Sequence, residues 1–73
     1  MDNKNLIGFN VKRIRKEKKL SQKEVIARLH LQKVKIDEPM LSRIEHCKRP
    51  VSDFEVYALA LALDTNINNL FSK

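Results

Sequence analysis

The sequence predicts an all-α domain of five short helices, and three observations predict it. Apolar residues recur at helical spacing along most of the chain, and no segment alternates apolar with polar residues long enough for a strand. One glycine and two prolines in 73 residues leave little material for long loops. Ser21-Gln22-Lys23-Glu24 and Ser52-Asp53-Phe54-Glu55 have the Ser-x-x-Glu form of a capping box, which marks where a helix begins.

The first helix is predicted over roughly residues 4–18, with Ile7, Val11 and Ile14 as its buried stripe and Lys12, Arg13, Lys16 and Lys19 pointing away. Leu20 closes the core before the first capping box, and a staple of Leu20 with Val25 opens helix two, residues 21–31. Removing the serine of such a box costs about 0.5–2 kcal/mol. Val25, Ile26 and Leu29 face inward. The stretch His30–Lys35 lacks periodicity and reads as a connection. Helix three, residues 38–46, begins near Asp37-Glu38-Pro39, because proline suits a first turn where its missing N–H costs nothing. Asp37 and Glu38 are both candidate caps. Leu41 and Ile44 form its apolar edge, and the turn Lys48-Arg49-Pro50 follows. Helix four, residues 52–63, buries Leu59, Ala60 and Leu63 behind a Val51–Val56 staple. A short helix, residues 66–71, capped by Asn66, contributes Ile67, Leu70 and Phe71.

A single domain spanning 1–73 is small enough that its core is thin. The lone Cys47 forms no disulfide within the chain, and His30 and His46 fit no zinc spacing. No cofactor is expected, and a free thiol suits a reducing cytoplasm. No apolar run approaches the roughly 20 residues that span a bilayer, and Met1–Leu6 lacks the apolar segment of a signal peptide. A cytoplasmic location follows. The net charge of +6 is uneven: residues 1–36 hold 11 Lys/Arg against 3 Asp/Glu, and residues 37–73 hold 4 against 6. A basic surface of this kind suits a polyanion.

Leu20-Ser21-Gln22, the helix after it, Leu41-Ser42-Arg43-Ile44-Glu45 and Lys48-Arg49-Pro50 together resemble the phage repressor and Cro class of helix-turn-helix regulators, the xenobiotic-response-element-like group. The likeness runs from Ile7-Gly8 to Leu70-Phe71 and is carried by the combination. It implies a lambda-repressor-like fold, with helices two and three as the helix-turn-helix. Double-stranded DNA is the implied partner and a homodimer the implied state. In the family, Gln22's position contacts the sugar-phosphate backbone, and those of Glu38, Pro39, Met40, Ser42 and Arg43 face the major groove. The Arg15 and Glu45 positions form a salt bridge joining helices one and three.

The chemistry of these side chains suits those roles. Arg43's fork can pair with guanine O6 and N7, Met40 can meet a thymine methyl, and Glu38 can accept from cytosine N4. Lys48 and Arg49, past the helix end, are placed for phosphates, with His46 as a phosphate neighbour and Lys12 helping electrostatically. Leu61, Ile67 and Phe71 are the expected dimer contacts.

The sequence departs from the family at three points. His30 stands where the turn usually begins with glycine, and the turn is about five residues longer than the common form, as in a long-turn subgroup. Ile26 replaces a small residue, which implies a wider helix crossing. Cys47 replaces the glycine that ends helix three with positive φ, leaving either strain or a different cap.

Two other classes compete. A protein-interaction module, such as an antitoxin or anti-repressor, would use the same fold to bind a protein partner; acidic Glu38 and the apolar surface near Tyr57 and Leu61 favour it. An enzyme is disfavoured, because adjacent helical residues such as His46 and Cys47 diverge by about 100° and have no third orienting group. A membrane-surface role fails because the core needs the apolar face of the first helix.

Overall fold

Helix α1 begins at Gly8 in the computed structural model, which describes residues 5–72, and not at residue 4 as periodicity predicts. Lys4 lies outside the described residues. The reason for the late start is Asn5. Its Oδ1 accepts from the backbone N–H of Ile7 at 3.0 Å and of Gly8 at 2.8 Å, turning the chain before the helix. Its Nδ2 donates to the carbonyls of Ile44 at 2.9 Å and Arg49 at 3.0 Å, so the same amide also holds the end of a second helix.

The five helices are α1 Gly8–Glu17, α2 Gln22–Leu31, α3 Glu38–Glu45, α4 Asp53–Ala62 and α5 Ile67–Leu70, with no strand among the described residues. Helix α1 packs on α3 and α5, α2 on α3 and α4, and α4 on α5. All five surround one core, in which Ile7, Val11, Val25, Leu29, Leu41, Ile44, Leu59, Leu63 and Leu70 are completely buried. Leu20, Val51 and Val56 pack against it from the edges.

Both capping boxes are formed: Ser21 with Glu24 and Ser52 with Glu55 exchange reciprocal bonds at the starts of α2 and α4. The cap of α3 is Asp37, whose carboxylate accepts from the Met40 N–H at 2.9 Å, placing Glu38 first in the helix and Pro39 second. Asn66 occupies the cap position of α5 without a side-chain cap bond.

The first four helices end in one way. Lys19, Lys33, Cys47 and Asp64 sit at φ of 57°, 64°, 58° and 54°. At each end the following N–H reaches back five residues, as from Lys48 to Arg43 at 2.8 Å and from Leu20 to Arg15 at 3.0 Å. This is the Schellman ending, normally built on glycine because a Cβ disfavours left-handed geometry by about 1–2 kcal/mol. Cys47 therefore adopts the positive φ that glycine usually supplies at a helix end, without being glycine.

Two sequence expectations about the core need correction. Ile67 and Phe71 are 39% and 48% exposed, so α5 contributes only Leu70 to the interior. Val34, in the stretch without periodicity, and Ile36, directly after it, are buried. The chain leaves α2 through the left-handed Lys33 and turns again at Lys35, where the Ile36 N–H donates to the Val34 carbonyl at 3.2 Å, so a helical template cannot find them.

Candidate nucleic-acid interface

The site is built around a buried ion pair. Arg15 of α1 and Glu45 of α3 meet side-on, with Nε–Oε2 at 2.6 Å and Nη2–Oε1 at 3.1 Å. Their side chains are only 10% and 1% exposed. Arg15 also donates from Nη1 to the Leu20 carbonyl, and Gln22 donates from Nε2 to Glu45 Oε1 at 3.1 Å. The cluster ties the end of α1, the first turn of α2 and the last turn of α3 into one unit. Among the described residues no buried side-chain polar atom lacks a partner.

A single glycine makes the α1–α3 approach possible. A Cβ on Gly8 would lie 2.0 Å from the Ile44 carbonyl oxygen, a position already taken by backbone. Asn5 donates to that same carbonyl, which at the end of α3 also accepts the Cys47 N–H at 3.0 Å. Sequence reasoning missed both residues as determinants of where α3 sits. The signal available was an asparagine three residues before the only glycine, at the head of an apolar stripe.

The predicted site residues fall into three groups. Glu38, Pro39, Arg43, His46 and Lys48 are exposed along the outer edge of α3 and just beyond it. Among the described residues neither Arg43 nor Lys48 forms an ion pair. His46 turns back on its own helix, with Nδ1 2.8 Å from the Ser42 carbonyl, so Nδ1 carries the proton of that bond. Ser42 is half-buried, and Met40 is half-buried with its side chain packed on the core. Gln22 and Arg49 already have protein partners. The guanidinium of Arg49 grips Glu55 with both arms, Nη1–Oε1 at 3.1 Å and Nη2–Oε2 at 2.9 Å. This pairing holds the Glu55 carboxyl below its ordinary pKa and raises that of Arg49. At α2 the hydrogen bonds from Ser21 lower the Glu24 carboxyl. Lys12 is half-buried on α1.

Other polar side chains brace the far side of the bundle. Arg28 donates to the Ala62 carbonyl, Gln32 to Ala58, and Asn10 to both Leu70 and Ser72. Cations at the carbonyl end of a helix also suit its dipole. A second surface is apolar: Phe54, Tyr57 and Leu61 lie on one face of α4 at i, i+3, i+7 and are 59%, 55% and 54% exposed. Ile67 lines the same shallow groove as Tyr57 and Leu61. Among the described residues no group of three His, Cys, Asp or Glu could hold a metal ion, and no helix is long and apolar enough to cross a membrane.

No family model matches the chain, and no curated protein or solved structure matches it.

Proposed function

We propose that this chain is a sequence-specific double-stranded DNA-binding regulator of the repressor-like helix-turn-helix kind, with α2 and α3 as the motif. Helix α3 enters the major groove, and Arg43 reads a base edge. Lys48 contacts a phosphate, with His46 beside it, while Glu38, Pro39 and Ser42 border the groove floor. The observation that carries the reading is the free edge of α3. Its inner face is locked by Leu41, Ile44 and the Arg15–Glu45–Gln22 cluster, leaving Arg43 outward on a fixed helix and Lys48 just past its end, both without an ion pair among the described residues.

Three of the predicted contacts take narrower roles in this reading. Gln22 orients Glu45 through its amide nitrogen, leaving the α2 N-terminal backbone amides as the phosphate site. Arg49 braces α4 through Glu55. Met40 offers a thymine methyl only its uncovered part. The protein works as a cytoplasmic homodimer without catalytic activity, the partner copy covering the exposed Leu61, Ile67 and Phe71. Two half-sites about 34–36 Å apart then combine contacts that one module makes too few of.

Titration against random-sequence DNA at several salt concentrations, followed by selection of bound sites, tests this. DNA binding gives log K falling with log salt at about −0.9 per phosphate contacted, and palindromic selected sites. A flat salt dependence with no selected motif overturns it and favours the protein-interaction module, for which the apolar stripe on α4 is the specific support.

A further inference from the structure

The connection between α2 and α3 is longer than a helix-turn-helix requires, yet it is firmly held. Val34 and Ile36 are buried in the core at 5% and 1% exposure. The Val34 N–H donates to the Leu29 carbonyl at 3.0 Å. His30, with its proton on Nε2, reaches the Ile36 carbonyl at 3.2 Å. Lys33 holds the left-handed position that ends α2. A segment anchored at two side chains and two hydrogen bonds does not behave as a loose insert.

Val34 and Ile36 turn inward, while Lys33 at the left-handed position and Lys35 at the turn between them are both exposed. Among the described residues neither forms an ion pair. They line an open depression with His30, Ile36 and Asp37, directly before α3. Asp37 is committed to capping Met40, and Glu38 stands exposed beside it. Two carboxylates at the tip of a helix approaching a polyanion are unfavourable by themselves. Two cations fixed a few residues away offset them.

We propose that Lys33 and Lys35 form a phosphate-binding prong, a second DNA-contacting element built by the long connection. The inference rests on the DNA-binding reading above. Lys35 lies three residues before Glu38, so its Cα is within about 11 Å of the α3 start even for an extended chain. The major groove is about 12 Å wide. With the α3 N-terminus inside the groove, a long side chain starting no farther away than this can reach the phosphates of its rim. The prong contributes affinity independent of sequence, and base preference stays with α3.

The test is Lys33→Gln with Lys35→Gln, titrated against the selected site and against random DNA over a range of salt. Log K should fall less steeply with log salt, by about 0.9 for each lost contact, with the selected motif unchanged. Lys33→Arg with Lys35→Arg should keep the parent slope, and Lys16→Gln, which removes an exposed charge from α1, should leave it nearly intact. Circular dichroism of each variant checks that the fold is kept. A parent that binds DNA with a steep salt slope, unchanged in the double glutamine variant, overturns the prong alone. Equal loss of slope in Lys16→Gln also overturns it, because net charge would then explain the effect. A parent with no salt-dependent DNA binding overturns the underlying reading and the prong with it.

Discussion

Arg15 and Glu45, thirty residues apart in sequence, form a two-armed ion pair that joins α1 to α3 beneath the outer edge of α3. Taking two charges out of water is costly, and the attraction offsets that only when geometry and remaining hydrogen bonds are good. Here Leu20 and Gln22 supply the remaining bonds. Removing one partner strands the other. Glu45→Gln should therefore lose about 3–5 kcal/mol in chemical denaturation. An unchanged midpoint would mean that the pair contributes nothing.

Gly8→Ala is expected to destabilise the fold at or above the upper end of the usual overpacking range, about 1–3 kcal/mol. The new methyl meets the Ile44 carbonyl, which is backbone and cannot swing aside. Alanine is otherwise the better helix former by about 1 kcal/mol, so an exposed position would show the opposite sign. Thermal melts of the parent and the variant decide between them.

Four non-glycine residues in left-handed geometry are a reservoir of stability. Lys19→Gly and Asp64→Gly relieve the Cβ conflict of about 1–2 kcal/mol, less the extra chain entropy that glycine loses on folding. Each should gain about 0.5–1 kcal/mol, visible as a rise of a few degrees in melting temperature. Lys19→Val should lose stability, since a branched Cβ tolerates positive φ worst.

The fold was largely legible because its signals are local. The Ser21 and Ser52 boxes, Pro39 in a first turn and stripes such as Ile7-Val11-Ile14 each act within a few residues. What was hidden depends on distant partners. Asn5 reads as one more early helical residue until Ile44 and Arg49 are brought beside it. Val34 and Ile36 were missed because they lie in a non-helical turn, where helical spacing does not apply. At the candidate site, charge and position exposed Arg43 and Lys48. That Arg49 is occupied by Glu55 follows from the α3–α4 turn geometry, which spacing alone does not give.

The Arg49–Glu55 pair gives the fold an acid-sensitive element. The Glu55 carboxyl is lowered below 4.5, first by the hydrogen bonds from Arg49 and further by the Ser52 N–H. A lowered folded pKa means that the unfolded chain binds the proton more tightly. The contribution is thus complete above pH 4.5 and is lost as pH falls through the lowered value. Glu55→Gln should melt below the parent at neutral pH, and the gap should narrow steadily below about pH 4.5. A gap independent of pH would place the stabilisation in packing instead of charge.

Arg43 and Lys48 should separate when variants are tested on DNA. Arg43 lies two residues after Leu41 and one before Ile44, both fully buried, so helical geometry turns it away from the core onto the outer face of α3. Lys48 follows the left-handed Cys47, where the chain leaves the axis of α3. Arg43→Ala should cost about 1–3 kcal/mol on the preferred site and relax preference at one position. Lys48→Ala should weaken all sequences alike and make the salt dependence shallower by about one. Arg49→Ala should behave differently from both, lowering the melting temperature through loss of Glu55. Site selection with each variant is the deciding measurement. If Arg43→Ala returns the parent motif with uniformly weaker binding, Arg43 is a phosphate ligand, and base reading falls to Ser42 and the uncovered part of Met40.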